Sequence, residues 1–253
     1  MNIIAEGGTD VGKKRGHNED SFGVFREIGL YMVADGMGGH AAGEVASQAA
    51  VDTMNGFITS TAGEEDITWP FERDSGMDRA SNRLMVGIRL ANKAIFDRAQ
   101  SSSSLKGMGT TVVAALSDKD NLYIAHVGDS RAYRLSGGVL RRLSMDHSYV
   151  EEQVQAGLIT PAQARTHPLR NMVTRALGVR EDVKIDIDSH LMVRGDVYLL
   201  CSDGLSGMLT DDEVARIIAS CQDDLKSCVE RLIKAANDKG GDDNITAVLL
   251  KVA

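Results

Sequence analysis

The chain has 253 residues, of which 43% are hydrophobic, and its 28 basic and 36 acidic side chains give a formal net charge of -8 at pH 7. This length and hydrophobic content suffice for a full core in one large domain. No linker divides the chain, so we predict a single domain over residues 1–253. The acidic balance argues against a nucleic-acid partner, because binding to a phosphate backbone depends on a field of Lys and Arg.

No targeting or membrane segment is expected. The first residues lack a basic region followed by an apolar run, and no stretch approaches the roughly 20 apolar residues that a membrane span requires. We therefore expect a cytoplasmic protein with no membrane partner. Its three cysteines fit that compartment, because an odd and sparse set is not a disulfide framework. On one shared helix, Cys221 and Cys228 would lie about 10 Å apart, so all three cysteines are interpreted as packing residues.

Hydrophobic periodicity predicts strands in blocks and helices in pairs. In chain order the pattern gives two strands, two helices, six strands, two helices and a final strand. The predicted strands are residues 21–25, 30–34, 110–116, 121–127, 131–135, 139–143, 183–189, 197–202 and 245–252. The helices are indicated by apolar stripes within residues 43–58, 84–95, 214–218 and 225–236.

Two segments lack a clear period. Residues 59–76, which contain Trp69-Pro70, are predicted to form a long loop, and residues 148–170 are polar and weakly patterned. Strands in blocks favour an α+β protein over alternating βαβ units. We predict a four-layer α-β-β-α sandwich, in which two antiparallel sheets pack face to face and a helix pair flanks each sheet.

The most informative pattern is the position of four aspartates at the ends of predicted strands. Asp35, Asp129 and Asp203 follow apolar runs, and Asp243 directly precedes the final strand. One Asp-Gly after a strand is usually a simple turn, but four such positions favour a shared site. Carboxylates gathered in an apolar scaffold repel one another unless a cation lies between them.

The ligand types predict the ion. The site offers only oxygen ligands, without Cys and His at zinc spacing, so the expected ions are Mg²⁺ or Mn²⁺. Two such ions can hold one water between them, lower its pKa towards neutrality and direct it at an electrophile.

A polar cluster near the amino terminus has two interpretations. Arg15, Glu19 and Asp20 could be an ordinary solvated charge cluster. Alternatively, Arg15 could bind a phosphate through two hydrogen bonds while the neighbouring acids order waters on the metals. These residues alone leave both open.

A competing function is suggested by Gly36-x-Gly38-x-x-Ala41, which follows a predicted strand and opens a helix as in dinucleotide-binding proteins. Three features argue against it. Asp35 would repel a pyrophosphate unless a metal intervened, the residues about twenty positions further on are helical, and no second parallel strand follows closely.

Six short motifs occur in a fixed order between about Thr9 and Val252. They are Thr9-Asp10-x-Gly12-x-x-Arg15-x-x-Asn18-Glu19-Asp20, Val33-Ala34-Asp35-Gly36-Met37-Gly38-Gly39-His40, Gly109-Thr110-Thr111, Val127-Gly128-Asp129-Ser130-Arg131, Cys201-Ser202-Asp203-Gly204 and Asp242-Asp243-Asn244-Ile245-Thr246. Each is weak alone, but together they resemble the bacterial metal-dependent protein phosphatases of type 2C.

This resemblance implies the metal ligands. Asp35 would bridge two Mn²⁺ or Mg²⁺ ions, the carbonyl of Gly36 would complete the second ion, and Asp203 with Asp243 would hold the first. Bacterial members often show a third, weaker ion, to which Asp129 and Asp203 would contribute.

The resemblance also implies the residues that act on the substrate. Glu19 and Asp20 would act through waters, and Arg15 would bind the substrate phosphate. In eukaryotic members a histidine directly follows the Asp-Gly pair and is considered the general acid. Here Met37 has that place, and His40 follows later, so a general-acid role for His40 is weighed against capping or packing the next helix.

The implied function is hydrolysis of phosphoserine and phosphothreonine in proteins by a water bridging the metals, opposing a bacterial Ser/Thr kinase of eukaryotic type. The alternative is a catalytically weak regulator of the same fold that binds phosphoproteins. We expect a monomer whose partners are phosphorylated proteins. Residues 148–170 would correspond to the family's mobile flap beside the active site.

Overall fold

The structure is a computed structural model that describes residues 1–38, 42–63 and 68–253. The strands are β1 (Ile3–Asp10), β2 (Asp20–Phe25), β3 (Leu30–Met37), β4 (Gly109–Thr110), β5 (Val112–Asp118), β6 (Asn121–Val127), β7 (Arg131–Ser136), β8 (Val139–Arg142), β9 (Asp186–Leu191), β10 (Val197–Cys201) and β11 (Ile245–Val252). The α-helices are α1 (Ala42–Ser60), α2 (Arg79–Ser101), α3 (Tyr149–Gln155), α4 (Pro161–Arg165), α5 (Asp203–Ser206), α6 (Asp211–Cys221) and α7 (Leu225–Asp238). Among the described residues, no helix is both long and apolar enough to cross a membrane.

The strands form two antiparallel sheets. The first has the order β1-β11-β10-β7-β8, and the second has the order β2-β3-β5-β6-β9, with β4 paired to β3. The central strands are covered on both faces, and all five residues of β10 are buried. This explains why the central strands appear in the sequence as nearly continuous apolar runs.

Three apolar layers hold the sandwich together. Successive side chains of a strand point to opposite faces. Leu200 of β10 and Val33 of β3 therefore belong to the core between the sheets. Their neighbours point outwards, Leu199 into the core beneath α6 and α7, and Met32 into the core beneath α1 and α2. The predicted α-β-β-α sandwich is confirmed, and its layers fix where the strand ends meet.

Strand β1 was not predicted. It pairs along its whole length with β11, from Ile3 opposite Val252 to Asp10 opposite Ile245. Its two glycines weaken the local strand signal, because Gly is depleted in strands. The packing requires them, since a Cβ on Gly7 would lie 2.7 Å from the Phe22 ring. Strand formation here depends on tertiary pairing.

The strand predicted at residues 183–189 begins and ends later in the structure, where β9 spans Asp186–Leu191.

The interpretation of all three cysteines as packing residues is wrong for two of them. Cys221 ends α6, and Cys228 lies in α7, which begins at Leu225. The helix break brings the two Cα atoms to 5.4 Å, and the side chains form a disulfide. The expected separation of about 10 Å assumed one continuous helix. Cys201 is free and buried, as a packing residue should be.

The polar segment 148–170 contains regular structure that its pattern did not predict. It holds α3, whose amino end is capped by the side chain of Ser148, and α4, which has a capping box formed by Thr160 and Gln163. Capping satisfies backbone N–H groups that a short helix otherwise leaves free. The mobility of this segment stays a prediction.

Candidate metal centre

The ends of several strands bring five aspartates together. Asp20 opens β2 directly opposite Asp35 of β3. The others, at or just beyond strand ends, are Asp129, Asp203 and Asp243. The carboxyl groups of Asp203 and Asp35 are close enough to share a hydrogen bond when one of them carries a proton. The structure thus collects all four aspartates predicted at strand ends, together with Asp20.

Burial and mutual repulsion shift the ionisation of this cluster. Burial, followed by the charges of Asp20, Asp203, Asp129 and Asp243, raises the pKa of Asp35 well above its usual range. Burial also raises the pKa of Asp20 to about 7, despite two hydroxyl hydrogen bonds. Burial and the charge of Asp203 raise the pKa of Asp129 to about 8. Without cations, the cluster therefore retains protons that ordinary carboxyl groups have lost at neutral pH.

Two oxygens of the centre have no hydrogen-bond partner among the described residues. They are Oδ1 of Asp20 and Oε1 of Glu19, and both are buried. A buried polar atom without a partner is destabilising unless something else binds it. Carboxylate oxygens are the donors that Mg²⁺ and Mn²⁺ prefer. The donor set therefore fits hard divalent cations bound directly or through their waters.

Hydroxyl groups orient Asp20. Its Oδ2 accepts hydrogen bonds from Ser202 Oγ at 2.8 Å and from Thr246 Oγ1 at 2.6 Å. Thr246 Oγ1 lies 2.7 Å from Thr9 Oγ1, which accepts a hydrogen bond from Asn18 Nδ2 at 2.9 Å. Such contacts hold the Asp20 carboxylate in one orientation beside the other aspartates. Sequence reasoning gave these residues no role, although their placement at neighbouring strand ends was a usable signal.

The backbone of Asp35 is held by a threonine pair. Thr110 Oγ1 and the backbone N–H of Thr111 both donate to the carbonyl of Asp35, at 2.9 and 2.8 Å. Asp35 N–H donates to Thr111 Oγ1 at 3.1 Å, and that hydroxyl lies 2.7 Å from Ser130 Oγ. These contacts give the Gly-Thr-Thr motif a structural role.

Gly36 lies where no side chain fits. A Cβ there would be 2.1 Å from the carbonyl oxygen of Gly43 and 2.5 Å from that of Glu19. The Gly36 N–H donates to the Glu19 carbonyl at 3.1 Å. The glycine therefore allows the segments carrying Asp35 and Glu19 to approach closely. Its carbonyl as a metal ligand stays a prediction.

Arg15 lies at the rim of the aspartate cluster. Its Nη2 donates to Asp243 Oδ2 at 2.7 Å, and its side chain is half exposed. The bond to Asp243 raises the pKa of Arg15, with smaller contributions from Glu19 and Asp203. The predicted phosphate ligand is therefore beside the predicted metal ligands, where it pairs with one of them.

Asn244 holds the loop that carries Arg15. Its Nδ2 donates to the carbonyls of Val11 and His17, each at 2.9 Å, and its Oδ1 accepts from the N–H of Glu19 at 2.8 Å. One buried amide thus fixes both ends of this loop against the start of β11.

A second positive charge, that of Arg131, acts on Asp129 and Asp203. Arg131 donates to both oxygens of Asp146, with Nε to Oδ1 at 2.9 Å and Nη2 to Oδ2 at 2.6 Å. Its charge opposes the rise in the pKa values of Asp129 and Asp203. Arg131 therefore offsets part of the repulsion between the carboxylates.

The proposed general acid, His40, is one of residues 39–41, which lie outside the described residues. Its predicted role therefore rests on the sequence alone.

Comparison with known proteins identifies relatives over the whole chain. The family model described as "Protein phosphatase 2C" matches residues 8–250. The serine/threonine phosphatase stp of Listeria monocytogenes is 41% identical over 254 residues, covering 98% of this chain and 95% of that protein. The protein phosphatase PhpP of Streptococcus pneumoniae is 34% identical over 248 residues, covering 96% of this chain and 95% of that protein.

Solved structures share the fold. The serine/threonine phosphatase PstP/Ppp of Mycobacterium tuberculosis superposes with a TM-score of 0.88 at 33% identity, covering 100% of this chain and 99% of that chain. A structure of the PstP catalytic domain in complex with two manganese ions superposes with a TM-score of 0.85 at 32% identity, covering 99% of both chains.

Proposed function

Because this chain belongs to the protein phosphatase 2C family, we propose that it hydrolyses phosphoserine and phosphothreonine in proteins with the help of Mn²⁺ or Mg²⁺. The observation that carries this proposal is the cluster of buried and partly buried aspartates at the strand ends, where burial and crowding raise the pKa values of Asp20, Asp35, Asp129 and Asp203 and so favour bound cations. The two manganese ions in the related PstP structure support the choice of ion.

The proposed ligands of two tightly bound ions are Asp35, the Gly36 carbonyl, Asp203 and Asp243, and Asp129 with Asp203 would hold a third, weaker ion. When bound, the cations offset the carboxylate charges and lower the pKa of a water molecule towards neutrality, so that it can attack phosphorus.

The chain's own residues bind and orient the substrate. Arg15 would hold two phosphate oxygens through its planar guanidinium, for which its half-exposed position at the rim is suitable. Glu19 and Asp20 would order waters, since each offers an oxygen without a partner among the described residues. His40 would give a proton to the leaving serine or threonine oxygen.

The proposal extends to the setting of the enzyme. The substrates would be proteins phosphorylated by a bacterial Ser/Thr kinase of eukaryotic type, and the protein would act as a cytoplasmic monomer. Residues 1–253 would form one catalytic domain, with residues 148–170 as a flap that influences substrate choice.

We expect the purified chain to release phosphate from a phosphothreonine peptide in Mn²⁺. Excess chelator should abolish release, and added Mn²⁺ should restore it. Asp35→Asn should abolish turnover while the protein stays folded, because the amide keeps the shape but not the charge. Asp224→Asn is the matched control, since Asp224 caps α7 and Asn caps equally well. Full turnover in chelator contradicts the mechanism, whereas phosphopeptide binding without turnover in Mn²⁺ favours the regulator.

Arg15→Ala should raise the Michaelis constant about 10- to 100-fold, because a hydrogen bond to a charged group contributes about 1.5–3 kcal/mol. Mn²⁺ affinity should hold or increase, since Arg15 pairs with Asp243. Arg15→Lys is the matched control. Its Michaelis constant should lie between those of the unsubstituted chain and of Arg15→Ala, because Lys keeps the positive charge but lacks the planar guanidinium. If Mn²⁺ affinity collapses while the Michaelis constant is unchanged, Arg15 is structural.

His40→Ala should slow hydrolysis of a phosphothreonine peptide by about 100-fold or more, the scale of general-acid catalysis. Hydrolysis of nitrophenyl phosphate should change much less, because nitrophenolate leaves without a proton. His17→Ala, at an exposed histidine with no proposed role, is the control. Equal losses on both substrates, or no loss on either, would assign the proton to another donor.

A further inference from the structure

A second cluster of polar side chains lies outside the aspartate centre. His126, His147 and Asp186 each place one potential ligand atom within 4.8 Å of the others. The ring geometry does not suit a cation, because the two imidazoles are stacked with centroids 4.8 Å apart and planes at 19°. Lone pairs lie in the ring planes, so nearly parallel rings cannot both point at one ion about 2.0–2.1 Å away. Arg175 Nη1, 3.0 Å from His147 Nε2, adds a positive charge.

The polar groups around His147 favour one tautomer of its ring. The backbone N–H of Gly128 donates to His147 Nδ1 at 3.1 Å, so Nδ1 carries no proton. Arg175 Nη1 faces Nε2 at 3.0 Å and, like the Gly128 amide, can only donate, whereas a neutral imidazole can accept from only one of these two donors. The Asp186 carboxylate, whose Oδ2 lies 3.2 Å from Nε2, can only accept, so it favours the proton on Nε2 and leaves Nδ1 to accept from Gly128. Arg175 pairs with the other oxygen of Asp186 at 3.1 Å. Asp186 and Arg175 therefore fix the ring so that Nδ1 faces Gly128.

His147 makes hydrogen bonds to both the N–H and the carbonyl of Gly128. Besides the side-chain contact, the backbone N–H of His147 donates to the Gly128 carbonyl at 2.9 Å. Gly128 has a φ of 109°, and a Cβ there would lie 2.6 Å from Thr111 Cβ. The turn thus depends on a glycine, and the next residue is Asp129.

The same histidine lies at the base of segment 148–170. Its carbonyl accepts from the N–H of Thr174 at 2.8 Å, and Ser148 pairs with Val173 in an isolated bridge. His147 therefore connects the start of this segment, and the chain shortly after its end, to the turn before Asp129.

We propose that His147 is a positioning residue, whose Nδ1 holds the Gly128 amide and thereby fixes Asp129 for the weakest-bound cation of the metal centre. This inference rests on the proposed function, in which Asp129 and Asp203 hold that ion. Burial has the largest influence on the pKa of His147 and lowers it, whereas the hydrogen bond to Asp186 acts in the opposite direction. The neutral ring that Nδ1 needs as an acceptor is thus the favoured form.

Two substitutions separate positioning from packing. His147→Asn places its Oδ1 near the position of Nδ1, so it can still accept from Gly128 but cannot reach Asp186. His147→Gln places its amide nitrogen near Nε2, so it can still donate to Asp186 but offers Gly128 no acceptor. Both remove a buried ring, so a merely structural role would affect them equally. His126→Gln is the control, since it can still donate to the Met145 carbonyl as His126 does.

The readout is Mn²⁺ binding to the intact protein by equilibrium dialysis, together with the melting temperature. His147→Gln should weaken the last-bound ion about tenfold or more, the lower range for lost outer contacts. The tightly bound ions should be unaffected. His147→Asn and His126→Gln should bind all ions nearly as the unsubstituted chain does. The proposal is overturned if the Gln and Asn variants weaken binding of the last ion equally, or if neither weakens it. It is also overturned if the unsubstituted chain binds only two ions.

A measurement on the unsubstituted chain remains decisive if a variant fails to fold. Nitrogen-15 NMR of the His147 ring near neutral pH should show a proton on Nε2 and none on Nδ1, and a proton on Nδ1 overturns the proposal. If the variants divide as expected but the unsubstituted chain hydrolyses no phosphopeptide, this inference is supported and the proposed function alone is contradicted.

Discussion

Repulsion among the carboxylates at the strand ends is the interaction on which the rest of the structure depends. Two unit charges 4 Å apart interact by about 4 kcal/mol at an effective dielectric constant of 20, and Asp35 faces four other aspartates. The fold cannot relieve this by moving the side chains apart, because the core between the sheets fixes the strand ends. Either protons or cations must therefore offset the negative charge of the carboxylates. Only cations do so while the carboxyl groups stay ionised.

The polar residues around the centre maintain this unfavourable arrangement. Ser202 and Thr246 fix one oxygen of Asp20 and leave the other without a partner among the described residues. Thr110 and Thr111 fix the backbone of Asp35. Since carboxylates around a metal site are held in place by outer contacts of this kind, these hydroxyls orient the acidic groups of the candidate metal centre. The His147 contact to Gly128 extends the same principle to Asp129.

The sequence predicted the sandwich and the positions of Asp35, Asp129, Asp203 and Asp243, because both depend on local patterns of apolar runs and their ends. Local patterns could not predict contacts between segments that are far apart along the chain. Strand β1 forms only by pairing with β11, more than two hundred residues away. The Cys221–Cys228 disulfide depends on how α6 packs against α7, which the separate apolar stripes of the two predicted helices do not specify. His147 stands out in the sequence only by its place beside Asp146 at the start of segment 148–170, and its role depends on Gly128 and Asp186 meeting it in space.

The most direct test is the free energy of unfolding against pH, in chelator and in saturating Mn²⁺. The folded-state pKa values of Asp20 and Asp129 are raised to about 7 and about 8. The folded protein thus retains protons that the unfolded chain has lost, and in chelator stability should fall as pH rises through these values. The limiting slope is about 1.4 kcal/mol per pH unit for each retained proton. Mn²⁺ should remove this decline, because bound cations replace the protons. Stability in chelator that stays flat or rises between about pH 5 and pH 8, or the same decline in Mn²⁺, would contradict the account.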